Sequence, residues 1–500
     1  MERQREAAHA AALYGEIFES TGGYYPGINA ATLRLLAGET DEARRLATLV
    51  LQTLGSEDPD SYYVAATEAE AALLLGREAQ ARAALVRAAA IHGGDYGALS
   101  TTRRQLRFVC EASGIDPDVL SVIAGPSVLH FCGHRIAAPG VNGRFPAASE
   151  STVAARIAAE VALDPPGFAY GALASGADIL CAEALLDAGA ELHVVLPFVA
   201  DEFVQSSVAD GGPGWVARFQ HCMDEATSIS YATADAYLGD EVLYRYGTEL
   251  AMGLALLRAR FLDAPVRQLA VWDGGPATGT AGTAIDVATW TGHGHPVTII
   301  APMDGPPPPP VPGPRSADTG RVVRSMLFAD VKGFSKLTDE QLPRFAEHVL
   351  AALARVLERH GDAISYRNTW GDAVYVVLTD VVSAAACALE LQEAMTAIDL
   401  DACRLPGHLA LRLGAHVGPI FPIRDPVLDT PAFMGSHVSR TARIEPVTTP
   451  GAVFATEPFA AALELEHSRF GFDYVGHIPA AKDYGRLRMY RLRPAGPSGR

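Results

Sequence analysis

Cysteine is scarce, with six in 500 residues. Cys110, Cys132, Cys181, Cys222, Cys387 and Cys403 contain no close C-x-x-C pair. That excludes a sequence-local zinc knuckle and argues against a disulfide framework, so a reducing, cytoplasmic compartment is expected. Basic charge is also short: 40 Lys and Arg against 58 Asp and Glu, a net of −18. A broad nucleic-acid or anionic-membrane surface needs clustered Lys and Arg, so neither partner is expected; a local phosphate site stays compatible. Long apolar runs are missing, and even "AALLLGREAQARAAL" is broken by charges, well short of the ~20 apolar residues of a membrane helix. The opening stretch "MERQREAAHAAALYGEIF" has no apolar signal core. What remains is ordinary globular material, 49% hydrophobic and 20% charged. This length exceeds one core and predicts about three domains.

The sharpest boundary is "GPPPPPVPGPRSADTGR", residues 305–321. Consecutive prolines fit neither a helix nor a central strand, so residues 302–321 are expected to be an extended spacer. Residues 1–120 read as helical. "INAATLRLLAGETDEARRLATLVLQTL" and "AATEAEAALLLGREAQARAALVRAAA" match at a spacing of 38, Gly38 with Gly76 and Ala43 with Ala81. This resembles tetratricopeptide-type helical hairpins, whose period is near 34. "GGYYPGINAATLRLLAG" also resembles the TRAFs-binding helical domain found beside bacterial signalling enzymes. A generic helical bundle is the other open reading. A protein partner is expected on this surface.

Residues 125–301 alternate strand and helix patterns, as in "SVLHFCGHRI" and "GALASGADILCAEALLDAGAELHVVLPF". Such alternation predicts an α/β, Rossmann-like parallel sheet covered on both faces.

In residues 322–493 the predicted order is β-α-β-β-α-β, the α+β ferredoxin-like split unit. Thr338 and Gln341 have capping-box spacing. Leu342, Phe345, Val349, Leu353 and Val356 mark one face of the helix that follows. In that topology the first and third strands are antiparallel neighbours. Asp330 ends the first and Asp372 starts the third, so carboxylates 42 positions apart are expected at one sheet edge. They repel unless a cation lies between them or one is protonated; Mg²⁺ shared with substrate phosphates is the usual solution. The turn "VKGF", with Gly333 and Phe334, leads towards a helix, and its backbone N–H groups suit phosphate.

"FADVKGFSKL", "NTWGDAVYVV" and "GSHVSRTARIE" together resemble the class III nucleotidyl cyclase domain. The resemblance implies formation of a 3′,5′-cyclic nucleotide and pyrophosphate from a nucleoside triphosphate, with two Mg²⁺ or Mn²⁺ ions per site. It implies that Asp330 and Asp372 hold the metals, that Arg443 stabilises the transition state and that Lys482 holds terminal phosphates. Sites in this family lie between two catalytic domains, so a homodimer is implied, with Arg443 supplied by the other subunit. Three positions depart from the family. Ser439 stands where Asn places the ribose. Asn368 and Ala432 occupy the base-reading pair. ATP and GTP are the default substrates. Trp370, Tyr366 and Arg367 add bulk that keeps a pyrimidine open, as in the pyrimidine cyclases of this family. Trp370 itself is expected to pack. Ser439 and Ala432 also keep open a catalytically silent nucleotide-binding module.

In the middle domain, "GALASGADILCAEALLDAG" and "WDGGPATGTAGTA" resemble the SLOG superfamily of nucleotide-ligand domains. The resemblance implies a nucleotide-related ligand, with phosphate or ribose at Gly133, His134, Arg135, Gly176, Asp178, Gly274, Gly275, Gly279 and Gly282. A packing role for these glycines stands beside that reading. So does a nucleotide-processing enzyme, for which Glu183 is the lone candidate.

Overall fold

Alanine-rich segments punctuated by Gly and acidic turns become the helices Glu2–Thr21, Tyr24–Leu36, Thr40–Leu54, Tyr62–Leu74, Glu78–Ile91 and Tyr96–Ser113. The pair Tyr24–Leu36 and Thr40–Leu54 recurs 38 residues on as Tyr62–Leu74 and Glu78–Ile91. Ala43 and Ala81, at equivalent points, are both fully buried, so small side chains let the helices approach closely. Thr32 and Glu70, also equivalent, bond to each other: Thr32 Oγ1 donates to Glu70 Oε1 at 2.5 Å. Gln105 Nε2 donates to the same oxygen at 2.7 Å. Burial pushes the Glu70 carboxyl up to about 7.

The computed structural model describes residues 2–138, 140–141, 143–303, 317–466, 470–483 and 485–494. They form two compact units, Met1–Pro126 with Arg258–Pro265, and Ser127–Leu257 with Val266–Arg500. The second unit holds two sheets. The first comprises β1 (Val128–Gly133), β2 (Phe168–Gly171), β3 (Glu191–Leu196), β4 (Ser228–Tyr231), β5 (Val266–Val271) and β6 (Val297–Ile300). Its order is β4-β3-β2-β1-β5-β6 and every pairing is parallel. Successive side chains of a strand point to opposite faces. Accordingly Leu129, Phe131, Leu269 and Val271 join one core, while Cys132 and Ala270 join another with Val287. Both faces are covered, as the near-continuous apolar strands predict.

The second sheet comprises β7 (Val322–Lys332), β8 (Ile364–Trp370), β9 (Ala373–Leu378), β10 (Ala410–Asp425), β11 (Thr430–Met434), β12 (Val453–Thr456), β13 (Phe470–Pro479) and β14 (Arg486–Pro494). The run β10-β7-β9-β8 is antiparallel throughout. This is the expected split unit, with β12 and the β13–β14 hairpin added beyond β10. The apolar face of residues 345–356 packs beneath it: Phe345, Val349, Leu353 and Val356 are buried.

Four local expectations need correction. Leu342 is 39% exposed, because it lies in the first turn of the helix, before the chain dips under the sheet. Trp370 is 89% exposed rather than packed, since it sits at the tip of the β8–β9 hairpin. The "VKGF" turn leads only to a single 3-10 turn, Phe334–Lys336; the helix proper starts at Leu342. Of the capping box, the structure carries the half in which Thr338 N–H donates to Gln341 Oε1 at 3.0 Å. Residues 304–316 of the expected spacer lie outside the described residues. Its end is docked: Arg321 pairs with Asp240 at 3.3 Å, both side chains 2% exposed.

Candidate active site

β7 pairs with β10 on one side and β9 on the other. That arrangement builds the site. Asp330 stands in register with Arg412 of β10, and Arg412 Nη2 meets Asp330 Oδ2 at 2.5 Å. Asp372 sits in the turn between β8 and β9. Gly371 there has φ +65°, a left-handed conformation that favours glycine and reverses the chain at once, bringing Asp372 back to the end of β7. The Asp330 and Asp372 carboxyls hydrogen-bond to each other. Burial, then that bond and the Asp330 charge, push Asp372 up to about 7; the Val331 backbone N–H opposes the shift.

A third carboxyl belongs to the cluster. Burial pushes Glu445 up to about 7, reinforced by the Asp330 charge and opposed by Arg412. Arg412 Nη2 lies 2.8 Å from Glu445 Oε1. Arg412 Nε is buried without a hydrogen-bond partner. Asp330 and Glu445 thus share one guanidinium, with the Asp372 carboxyl beside Asp330, so three acids meet a single cation. The sequence reading missed Glu445 and Arg412. An acid two residues beyond Arg443, and an Arg that the register sets opposite Asp330, were the available signals.

This oxygen-only donor set fits a hard divalent cation. Among the described residues no group of three or more His, Cys, Asp or Glu side chains is placed to hold a metal ion by itself. Mg²⁺ and Mn²⁺ take one or two carboxylates and complete their shell from water and phosphate, so Asp330 and Asp372 would be the residues to hold them.

Gly333 and Phe334 follow Asp330, and the Phe334 ring packs on Phe345 at 4.9 Å. Arg443 lies beyond the helix Ser436–Thr441, its N–H donating to Arg440 O at 3.0 Å. Positions 439 and 443 thus do not share a regular helical face, because the helix ends between them. Among the described residues the Arg443 guanidinium has no ion-pair partner, although Glu445 is two positions away. Ser439 is exposed. Lys482 is exposed in the β13–β14 turn, whose Ala481 N–H donates to Arg443 O at 3.2 Å. The structure thus brings the Lys482 turn beside Arg443, two positions from Glu445 of the carboxyl cluster. Asn368 is exposed on β8, its Oδ1 accepting from Thr369 N–H at 2.8 Å. Ala432 pairs with Ile423 on the β10–β11 hairpin. His416 Nε2 and His437 Nδ1 lie 2.8 Å apart in the core, where burial holds both well below the usual imidazole range; they are packing groups.

In the parallel-sheet region Gly133, His134, Arg135, Asp178 and Gly282 line one cavity at the carboxyl ends of the strands. Gly176, Gly274, Gly275 and Gly279 lie in the turns around it. Glu183 is held by Arg218 at 2.5 Å, an ion pair rather than a poised acid.

Residues 319–493 match the model of the adenylate and guanylate cyclase catalytic domain. A curated relative, putative adenylate cyclase 3 of Rhizobium meliloti (strain 1021), is 32% identical over 161 residues, 31% of this chain and 25% of the relative. The chain thus spans about a quarter of that relative's length. Similar solved structures include the guanylate cyclase domain of RhGC from Catenaria anguillulae in complex with GTP. It is 16% identical at a TM-score of 0.30, covering 35% of this chain and 97% of that one. The adenylyl cyclase CyaB from P. aeruginosa is 15% identical at a TM-score of 0.30, covering 36% and 98%. Residues 319–493 are a domain of the adenylate and guanylate cyclase catalytic family.

Proposed function

We propose that this chain is a nucleotidyl cyclase, built as a helical repeat domain (1–120), a ligand-sensing Rossmann-like domain (125–301), a spacer (302–321) and a catalytic domain (322–493). The observation that carries the reading is the meeting of the Asp330 and Asp372 carboxyls at one sheet edge. In the reaction the ribose 3′-oxygen attacks the α-phosphorus of a nucleoside triphosphate. The bond to the β-phosphate breaks, pyrophosphate leaves, and the 3′-hydroxyl proton is lost.

Asp330 and Asp372 would hold two Mg²⁺ or Mn²⁺ ions, which assist deprotonation of the hydroxyl and neutralise phosphate charge. Arg412 holds Asp330 in place and keeps part of the cluster neutral. Gly333 and Phe334 border the phosphates. The Arg443 guanidinium, without an acidic partner among the described residues, is available to another chain. In a C2 dimer it reaches the second subunit's site, where charge grows on the reacting phosphate. Lys482, beside Arg443, takes the terminal phosphates. Trp370, Val427 and Met434, exposed by 89%, 87% and 59%, are apolar groups suited to burial in such a dimer. Ser439 faces the ribose, and Asn368 with Ala432 faces the base. The base is ATP's or GTP's by default, with a pyrimidine as the alternative.

A silent nucleotide-binding module is the second reading, favoured by exposed Ser439 and by Ala432, which offers no polar group. Purified protein with Mn²⁺ or Mg²⁺ and each of ATP, GTP, CTP and UTP, with products resolved by mass, tests the proposal. A cyclic product is expected from at least one. Nucleotide binding without any cyclic product would establish the silent module.

A further inference from the structure

β10 carries a bed for the segment that holds Arg443. Residues two apart on a strand share a face, so Arg412, Gly414, His416 and Gly418 stand in one row. Arg412 ends that row at Asp330 and Glu445. The chain from Ser436 to Glu445 lies along it. At the Arg412 end, fully buried Ile444 covers Gly414, where a Cβ would lie 2.9 Å from the Ile444 Cβ. At the other end His437 covers Gly418, where a Cβ would collide with His437 Nδ1. Between the two glycines stands His416, its Nε2 2.8 Å from that same Nδ1. Ser439 and Arg443 therefore lie between two anchors.

The anchors differ in kind. Ile444 packs with Ala452, Phe454 and Met489, a non-directional contact that sets depth. His437 makes a directional bond, and its partner is held from behind: Thr456 Oγ1 of β12 lies 2.7 Å from His416 Nδ1. Thr441 Oγ1 donates to His437 O at 2.8 Å, which ties the end of the helix Ser436–Thr441 back to the anchor. Both imidazoles are fully buried. Tyr246 closes them off, its ring edge-on to His437 at 6.1 Å and its hydroxyl donating to Val417 O at 3.0 Å. Burying two imidazoles costs free energy that an apolar pair would not; what the bond adds is a fixed register. The helix needs it. It has 6 residues, of which His437 and Thr441 are the buried ones, so no apolar face of its own sets where it lies.

We propose that His437 is a positioning residue of the catalytic domain. Through its bond to His416 it fixes where exposed Ser439 and the Arg443 guanidinium stand for the second subunit's substrate. This deepens the cyclase reading above and rests on it.

Two substitutions separate the bond from mere filling. His437→Asn keeps a polar group for His416 and leaves space; His437→Leu fills the space and removes the bond. With the triphosphate that the unaltered chain cyclises, His437→Leu should lower kcat by about 100-fold, as a displacement of about 1 Å can, and change KM far less. His437→Asn should recover most of that loss. A Leu chain as active as the Asn chain would overturn the proposal. Mixing locates the fault. The His437→Leu protein should regain activity with Asp372→Ala protein, since one site of the mixed dimer joins intact carboxyls to an intact Arg443 segment. It should not do so with Arg443→Ala protein. Recovery with Arg443→Ala protein, or with neither when mixed dimers are verified by mass, would also overturn it. Hydrogen exchange needs neither turnover nor a variant that folds. In the unaltered chain the Ser439, Ala442 and Arg443 amides should exchange as slowly as those of β10; fast exchange would overturn the anchor. Slow exchange there, with no cyclic product from any triphosphate, would sink the cyclase reading and leave the anchor standing.

Discussion

Asp372 shows how one side chain serves two purposes. Its position after Gly371 makes the turn, and its carboxyl meets Asp330 across 42 residues of chain. Its folded value, about 7, lies above its ordinary 3.8. The folded state therefore holds a proton that the unfolded state releases, so this contribution to stability is full below about pH 4 and is lost as pH rises through about 7. Asp372→Asn should relieve the repulsion and raise metal-free stability at pH 8 by about 1 kcal/mol, since solvent screens this half-buried pair. The same change should remove cyclic-nucleotide formation and the thermal stabilisation that Mn²⁺ gives the unaltered chain. Equal Mn²⁺ stabilisation of both proteins in a melting experiment would show that the pair is not a metal site. The Gly-Asp turn and the Asp pairing were legible in the sequence, because topology alone joins the ends of those strands. Glu445 was not, because its closeness depends on how the turn after the helix Ser436–Thr441 folds back.

At the scale of elements, periodicity served best where an element is long and one-sided. The 38-residue repeat and the face through Phe345, Val349, Leu353 and Val356 were both legible, since apolar spacing records which side is buried. Leu342 and Trp370 obey the same preference locally, yet lie at an element's first turn and at a hairpin tip, where nothing covers them. Glu70 shows what an element can hide: an acid on an alanine-rich helix that the fold buries against Thr32 and Gln105. Its folded value near 7 means that stability is lost as pH rises from about 4.5 through 7. Glu70→Gln keeps an oxygen for both donors and removes the charge. It should stabilise the helix Tyr62–Leu74 by about 2–3 kcal/mol at pH 8, with little effect at pH 4. Hydrogen exchange of that helix at both pH values, corrected for intrinsic rates, measures the difference. An equal effect at both pH values would mean that the charge is not the cause.

At the scale of the whole molecule, the proposed site is complete only when two chains meet. Asp372→Ala and Arg443→Ala proteins should each be inactive alone. Mixed in equal amounts, they should regain about a quarter of full activity, since half of the dimers are mixed and each holds one intact site. Persistent inactivity of the mixture, with mixed dimers verified by mass, would place Arg443 and the carboxyls in the same subunit's site.

The order of strands and helices, the antiparallel meeting of β7 with β9 and the carboxyl pair at their end follow from residue pattern alone. Local spacing sets periodicity, and periodicity leaves few topologies. The fold alone decided that Arg412 and Glu445 join that pair. Those are meetings of residues far apart in the chain, set by packing in three dimensions, which no local pattern records.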